Sequence, residues 1–155
     1  MINVCFAGIT GWTAPAIVAA IGQADDLTLS SGVSRSAAGQ SLAAAVGSAS
    51  QGYVYATVAE ALRSAQADVL IDYTSAAAVK TNVWTAVRAG VHAVIGSSGL
   101  TSQDYAELDR LARDPGRRRD RGRQLLGHGR RAPPRRLDGR SAPGPLGDHR
   151  LCQRR

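Results

Sequence analysis

The first fourteen residues constrain the fold of this chain more than any other stretch. Residues 2–7 form an apolar run typical of a buried strand, and Gly8 follows directly. A glycine permits a sharp turn there, while Gly11 lets the backbone approach a diphosphate and the small Ala14 lets a following helix pack closely. The amino end of that helix offers unpaired N–H groups and the positive end of its dipole to an anion. The stretch therefore predicts a strand, a phosphate-binding turn and a helix, although many such turns share this spacing.

Strand and helix signals alternate along residues 1–114. Continuous apolar runs bounded by turn residues indicate buried strands, and capping pairs such as Thr101 with Asp104 indicate helix starts. The stretch 36–52 is rich in Ala, Ser and Gly and predicts a loop with a turn of helix around 42–46. The predicted strands span residues 2–7, 27–33, 53–55, 69–73 and 91–95, and the predicted helices span about 16–21, 57–65, 76–89 and 101–113.

The ends of three predicted strands carry residues suited to a binding site. Alternating strands and helices imply a parallel sheet with right-handed crossovers, and ligands of such α/β sheets bind beyond the carboxyl ends of the strands. The three ends are the turn at Gly8, the pair Tyr73-Thr74, and the run Gly96-Ser97-Ser98-Gly99. We therefore predict a binding site where these ends meet at one edge of the sheet.

Several other conspicuous residues have structural interpretations that compete with functional ones. Asp72 lies near the end of a predicted strand, where a structural hydrogen bond is favoured over acid–base work. Trp84 and Tyr105 recur with aliphatic residues at helical spacing, which predicts core positions. His92 precedes a predicted buried strand and is expected to pack rather than to catalyse. Cys5 is expected to be a small core residue, because the two cysteines match neither a disulfide framework nor a metal-ligand spacing.

The composition divides the chain into two unlike parts. Residues 1–114 carry six Lys and Arg against nine Asp and Glu, and they contain every aromatic residue. Residues 115–155 carry thirteen Arg, no Lys and three Asp, so the net charge of +7 arises wholly from this tail. No run is long enough for a membrane span and Met1 leads directly into a strand, so a cytoplasmic protein is expected.

The motifs, in their order and spacing, resemble one enzyme family. They are an Ile-Asn-Val strand with Gly8 and Gly11, Val-Leu-Ile-Asp-Tyr-Thr-Ser at 69–75 with Asn82 downstream, and Val-Ile-Gly-Ser-Ser-Gly-Leu-Thr at 94–101. Together they resemble the dihydrodipicolinate reductase family of lysine and diaminopimelate biosynthesis, over nearly all of residues 1–114. The resemblance implies a Rossmann-type dinucleotide-binding domain at 1–114 and hydride transfer from NADH or NADPH to a cyclic dicarboxylate intermediate. It also implies homo-oligomers that form through a separate substrate domain.

The resemblance further implies which residues contact the cofactor. The turn would hold the diphosphate, the end of the second strand would face the adenosine ribose, and the ends of the fourth and fifth strands would line the nicotinamide. Position by position, these residues are Gly8, Ile9, Thr10, Gly11, Trp12 and Thr13, then Ser34 and Arg35, then Tyr73, Thr74, Gly96, Ser97 and Ser98. No catalytic or metal-ligating residue is assigned.

Two departures from the family pattern bear on the cofactor. Members usually have Arg-Met where this chain has Trp12-Thr13, and often an acidic residue where it has Ser34. The chain has no carboxylate there to accept from a ribose 2′-OH, and Arg35 can pair with a 2′-phosphate, so NADP is expected, with NAD as the alternative. Arg35 could equally be a solvated surface charge.

The composition of residues 115–155 is unusual for a folded protein. The tail lacks Val, Ile, Met, Phe, Trp, Tyr, Lys, Glu, Thr and Asn, while Arg, Gly and Pro dominate. Neither strand nor amphipathic helix is expected from this, and the tail is predicted to be disordered. A basic arm for nucleic acid is one interpretation. It is disfavoured, because such arms usually mix Lys with Arg or carry aromatics that stack on bases.

The genetic code favours a different origin for the tail. If one extra base lies near codon 115, residues 120–129 are compatible with Ile-Ala-Ala-Gly-Asn-Phe-Ser-Val-Thr-Ala, and residues 146–153 with Trp-Glu-Ile-Ile-Asp-Tyr-Ala-Ser. Both strings look like later segments of the same family. We therefore expect a frameshift between Asp114 and Pro115 that removes the substrate domain and leaves the chain with weak or no reductase turnover. A dinucleotide-binding module without turnover and an Arg-tailed nucleic-acid binder stay open as alternatives.

Overall fold

Five strands and five helices alternate along residues 1–113, the part of the chain that the computed structural model describes. In chain order they are β1 (Ile2–Ala7), α1 (Ala14–Gln23), β2 (Leu27–Val33), α2 (Leu42–Val46), β3 (Tyr53–Tyr55), α3 (Val58–Ser64), β4 (Val69–Asp72), α4 (Ala76–Arg88), β5 (His92–Ile95) and α5 (Ser102–Ala112). All paired strands are parallel, which confirms the predicted α/β fold of Rossmann type. None of these five helices has the length and apolar character needed to cross a membrane. The predicted disorder of residues 115–155 concerns a segment outside the described part.

The sheet has the strand order β3-β2-β1-β4-β5, with β1 in the centre. β1 pairs with β2 on one side, where Ile2 lies opposite Leu27, and with β4 on the other, where Val4 lies opposite Val69. The chain thus adds β2 and β3 in one direction and then β4 and β5 in the other. The order reverses between β1 and β4, and sheets of this type bind ligands in the crevice at such a reversal.

Side chains along β1 point alternately into two core layers. Val4 and Phe6 face the side of the sheet that α1 and α2 cover, while Cys5 and Ala7 face the side where α3 and α4 pack. All four side chains are buried, which explains why this strand is apolar throughout. Burial raises the pKa of the Cys5 thiol to about 11, so the thiol stays protonated near neutral pH, as expected for a core residue.

Two helix starts follow the capping chemistry that the sequence predicts. The start of α5 is a complete capping box, in which two residues cap each other: the Thr101 hydroxyl accepts from the Asp104 amide, and the Asp104 carboxylate accepts from the Thr101 amide. At α3 the Thr57 hydroxyl accepts from the Glu60 amide, but the Glu60 carboxylate accepts from the amide of Ala56 instead. The predicted caps at Thr57 and Thr101 are therefore confirmed, whereas Ser75 before α4 makes no side-chain capping hydrogen bond.

The first helix is longer than predicted. α1 includes Ala14 because Pro15 fits the first turn of a helix, where no amide donor is needed, and it continues through Gly22 instead of ending there. Thr13 occupies the N-cap position, yet its side chain makes no capping hydrogen bond. The predicted bounds of β2, α2 and β3 agree with the structure.

The prediction that the fifth strand is buried is wrong on one face. β5 is the edge strand on its side of the described sheet, and Ala93 and Ile95 pack under α4 and α5. The alternate residues His92 and Val94 point to the opposite face of the sheet and are exposed. On that face α1 and α2 cover β1, β2 and β3 and do not extend over β5. His92 is therefore not a packing residue.

The predicted core positions on α4 and α5 are confirmed for one aromatic residue and wrong for the other. Trp84 is buried between the two helices together with Leu108. Tyr105 is 49% exposed, because Leu108 and Leu111 form the face of α5 that meets α4. Spacing alone does not show which of the neighbouring apolar residues on a short helix faces inwards.

Candidate functional site

The turn between β1 and α1 is shaped by its own backbone hydrogen bonds. Gly8 has a φ of 90°, a left-handed conformation that favours glycine, and its amide donates to the Val33 carbonyl of β2 at 3.0 Å. The Gly11 amide donates to the Gly8 carbonyl at 2.8 Å, and the Ala14 amide donates to the Gly11 carbonyl at 3.1 Å. Two successive turns therefore lead the chain from the strand into α1.

Three amides of this turn have no hydrogen-bond partner within residues 1–113, those of Thr10, Trp12 and Thr13. They lie at the amino end of α1, where the helix dipole is positive and no side chain caps the helix. Thr10 and Trp12 are exposed and Thr13 is half-buried, so a ligand can reach this segment. Unpaired N–H groups at a helix amino end are suited to phosphate oxygens.

Gly8 also sets the distance between the turn and β4. A Cβ atom at this position would collide with the Tyr73 carbonyl oxygen, so a larger residue requires the backbone to move. The Tyr73 amide donates to the Ala7 carbonyl at 3.0 Å. The ends of β1 and β4 are therefore in direct contact at the crevice where the strand order reverses.

A chain of hydroxyl groups connects the turn to the end of β2. The Thr10 and Ser34 hydroxyl oxygens are 2.8 Å apart, and the Ser34 and Ser36 hydroxyl oxygens are 3.1 Å apart. Arg35 is exposed and forms no ion pair with another described residue. Ser36 was not among the predicted site residues, because its position beside Ser34 depends on the bend that the chain makes after β2.

Asp72 connects the loops that follow β4 and β5. Its carboxylate is fully buried, and Oδ1 accepts from the Thr74 amide at 3.1 Å, the Thr74 hydroxyl at 2.8 Å and the Ser97 hydroxyl at 2.7 Å. Oδ2 accepts from the Asn82 side-chain amide of α4 at 2.8 Å. A buried carboxylate is stable in this position because each oxygen has donors. Asp72 thus makes structural hydrogen bonds, as the sequence predicts.

The Tyr73 ring covers the start of the loop after β5. The ring lies against Gly96, where a Cβ atom would collide with it, and meets Phe6 edge-on with the ring centroids 6.5 Å apart. Tyr73 remains 38% exposed, and Ser98, two residues after Gly96, is exposed as well. An aromatic face and hydroxyl groups are therefore present at this end of the crevice.

The parallel sheet brings the predicted site residues to a single edge. The turn, Ser34-Arg35, Tyr73-Thr74 and the loop from Gly96 to Ser98 all follow the carboxyl ends of strands. Ile9 differs from the others, because its side chain is fully buried in the core and its amide donates to the Val33 carbonyl at 3.4 Å. Its side chain therefore supports the turn from beneath and does not face a ligand.

The chemistry of this edge suits binding and orientation. The predicted site residues supply backbone amides, hydroxyls, aromatic rings and the Arg35 guanidinium, and they include no carboxylate or imidazole. In the described part of the chain, no cluster of three or more His, Cys, Asp and Glu residues could hold a metal ion. The arrangement can bind an anionic ligand that carries phosphate groups and hydroxyls.

A glycine turn with unpartnered amides, placed where the strand order of a parallel sheet reverses, defines a nucleotide-binding α/β domain of the Rossmann type. The sequence family described as "Dihydrodipicolinate reductase, N-terminus" matches residues 2–117. The chain therefore belongs to the dihydrodipicolinate reductase family, as its motifs predict.

Relatives with known names support this membership. The 4-hydroxy-tetrahydrodipicolinate reductase of Geobacillus kaustophilus (strain HTA426) is 33% identical over 114 residues, which are 73% of this chain and 43% of that protein. The enzyme of the same name from Syntrophomonas wolfei subsp. wolfei is 34% identical over 111 residues, which are 71% of this chain and 42% of that protein. The chain thus spans less than half the length of these relatives.

Solved structures share the fold of the described residues. A dipicolinate-bound dihydrodipicolinate reductase from Paenisporosarcina sp. TG-14 has a TM-score of 0.61 and 19% identity, covering 72% of this chain and 43% of that one. An amine dehydrogenase from Mycobacterium smegmatis has a TM-score of 0.59 and 24% identity, and the match covers 72% of this chain and 36% of that one. At these identities the similarity shows a common fold and says nothing of the substrate.

Proposed function

We propose that residues 1–113 bind a nicotinamide dinucleotide at the carboxyl edge of the sheet. The reductase to which they belong then transfers hydride to a dihydrodipicolinate-type intermediate of lysine and diaminopimelate biosynthesis. One observation carries the binding proposal: the amides of Thr10, Trp12 and Thr13 have no partner in the described part and lie at the amino end of α1. Membership of the family supports the reaction.

Each strand end has a separate role in this proposal. The turn from Gly8 to Thr13 holds the diphosphate, Ser34-Arg35 faces the adenosine ribose, and the residues after β4 and β5 line the nicotinamide. The cofactor, when bound, supplies the hydride. The Ser97 hydroxyl donates a hydrogen bond to the Asp72 carboxylate, so its oxygen keeps a lone pair that can accept from a carboxamide N–H group. Asp72 thereby orients that acceptor in advance.

NADP is proposed as the preferred cofactor because of the cluster at the end of β2. No Asp or Glu occurs between residues 27 and 59, so that segment has no carboxylate to accept from a ribose 2′-OH or to repel a 2′-phosphate. Arg35 is exposed without an ion-pair partner in the described part, and the hydroxyls of Ser34 and Ser36 flank it. A guanidinium with neighbouring hydroxyls is suited to a phosphate monoester.

Titration calorimetry of the 155-residue chain with NADPH and NADH tests both parts of the binding proposal. We expect NADPH to bind about tenfold or more tightly than NADH, because charge-assisted hydrogen bonds contribute roughly 1.5–3 kcal/mol. Arg35→Ala should weaken NADPH binding and leave NADH binding unchanged. The control is Arg63→Ala, which removes an equal charge from an exposed position in the last turn of α3. Equal affinities for NADPH and NADH would contradict the preference, and no binding of either would contradict the function.

The chain alone is proposed to bind the cofactor without turnover. In the family, the group that protonates the substrate and the groups that bind its carboxylates lie later in the chain than the predicted site residues. Mixing the purified chain with dihydrodipicolinate and NADPH should leave the nicotinamide absorbance unchanged. Rapid oxidation of NADPH would contradict this part and leave the binding proposal standing.

A further inference from the structure

Trp12 has an unusual environment for a tryptophan. It is 94% exposed, more than any other large hydrophobic side chain in the described part, and its indole makes no hydrogen bond or ring contact there. The second tryptophan, Trp84, is buried between α4 and α5 and donates to the Glu107 carboxylate at 3.3 Å. An indole in water leaves about 150–250 Å² of mostly apolar surface uncovered, so a partner that covers this surface forms a more stable complex.

The position of Trp12 indicates what kind of partner this is. Its own amide belongs to the unpartnered set, with those of Thr10 and Thr13 on either side in sequence. A ligand group held by these amides therefore lies close to the atom from which the indole extends. Inorganic phosphate or sulfate would satisfy the amides but would give the indole nothing to cover. A ligand that uses both must join an anionic group to a planar ring, as a dinucleotide does on each side of its diphosphate.

We propose that the Trp12 indole stacks on one of the two rings of the bound dinucleotide and covers the diphosphate site. The inference rests on the proposed function and adds a side-chain contact to the backbone contacts argued above. Stacking on an aromatic side chain tolerates any planar base, because every base has a π-face. The contact therefore raises affinity for NADPH and NADH alike and leaves discrimination of the 2′-phosphate to Arg35.

Calorimetry on Trp12 variants of the full chain tests the proposal. Trp12→Ala should weaken NADPH and NADH binding by the same factor, roughly 5- to 100-fold, which is the usual effect of removing one stacking side chain. Trp12→Phe should retain most of the affinity. Neither substitution should change the melting temperature of the ligand-free chain, since the indole makes no contact that folding requires.

Fluorescence identifies the ring. In a Trp84→Phe chain, Trp12 is the only tryptophan. The two halves of the dinucleotide are then added separately: 2′,5′-ADP for the adenine half and reduced nicotinamide mononucleotide for the nicotinamide half. We expect one of the two to lower the Trp12 emission when it saturates the site. Quenching by one half assigns the stacked ring and supports the proposal, whereas quenching by neither overturns it. If Trp84→Phe fails to fold, the calorimetric comparison of Trp12→Ala with Trp12→Phe decides alone.

The outcomes separate this inference from the function on which it rests. A wild-type chain that binds NADPH as tightly as Trp12→Ala does would overturn the stacking contact and leave dinucleotide binding intact. A wild-type chain that binds no dinucleotide would overturn both. Loss of NADPH binding alone in Trp12→Ala, with NADH binding unchanged, would also overturn the contact, because it would place Trp12 at the 2′-phosphate.

Discussion

At the scale of single residues, two glycines of the first strand–helix unit behave in opposite ways. Gly8 has a φ of 90° and a Cβ there would collide with the Tyr73 carbonyl, whereas a Cβ on Gly22 in α1 has nothing within 4 Å. We expect Gly8→Ala to lower the free energy of unfolding by about 1–3 kcal/mol or more. Gly22→Ala should raise it by about 0.5–1 kcal/mol, because alanine is the better helix former. Urea unfolding of both variants checks this, and changes of the same sign would contradict the turn geometry.

Asp72 provides a second prediction at this scale. In Asp72→Asn, one acceptor oxygen is replaced by an NH2 group that must face donors from Thr74, Ser97 or Asn82. The free energy of unfolding should fall by about 1–3 kcal/mol, the usual effect of leaving a buried hydrogen-bonding group unpaired. The matched control is Asp109→Asn on the surface of α5, which should leave the urea midpoint unchanged. Similar midpoints for the two variants would show that the Asp72 carboxylate is not a structural link.

At the scale of elements, polar side chains fasten the amino half of α5 to α4. Lys80 Nζ is 2.6 Å from Asp104 Oδ1 and lies 5.3 Å from the centroid of the Trp84 ring, whose indole N–H donates to Glu107. The ion pair with Lys80 and the hydrogen bonds from Thr101 lower the pKa of Asp104 to about 2. These contacts surround the apolar contact between the two helices.

The lowered pKa of Asp104 predicts how stability depends on pH. A carboxyl group with a lower pKa in the folded chain stabilises the fold above its ordinary pKa, and that contribution is lost as the pH falls through the folded value. The difference in urea midpoint between the wild type and Asp104→Asn should therefore be constant above pH 3.8 and shrink as the pH approaches about 2. Asp109→Asn serves as the control, and a difference that stays undiminished at the acid end would contradict the assignment.

The two edge strands show why burial was harder to predict than secondary structure. The edge at β3 is covered by the chain itself: the Gly39 amide donates to the Val54 carbonyl at 2.8 Å, and the Val54 amide donates to the Gln40 carbonyl at 2.8 Å. β5 has no such cover in the described part, although its sequence is as apolar as that of a central strand. Local sequence determines strand formation, whereas burial of a strand depends on distant elements.

At the scale of the whole molecule, the parallel sheet and the edge that carries the site were predictable because they depend on periodicity and chain order. Parallel strands place Gly8, Ser34, Tyr73 and Gly96 at one edge of the sheet, and this placement does not depend on how the side chains pack. The hydroxyl chain through Ser36 was not predicted, because it depends on the geometry of two loops that meet only after folding. The burial of several predicted residues was missed for the same reason.

At the scale of the whole chain, we propose that residues 115–155 are translated out of frame. Resequencing the DNA across codons 112–118 in an independent isolate should yield a frame that continues into the later family segments. An uninterrupted frame that encodes residues 115–155 as they stand would contradict the proposal.

The claim on which the account depends is that the amides of the β1–α1 turn bind the diphosphate of a nicotinamide dinucleotide. Amide NMR spectra of the isotope-labelled chain, recorded with and without saturating NADPH, test it most directly. We predict that the signals of Thr10, Trp12 and Thr13 shift strongly while those around Arg63, in the last turn of α3, stay in place. Unchanged signals from the three turn amides in the presence of saturating NADPH would contradict the account.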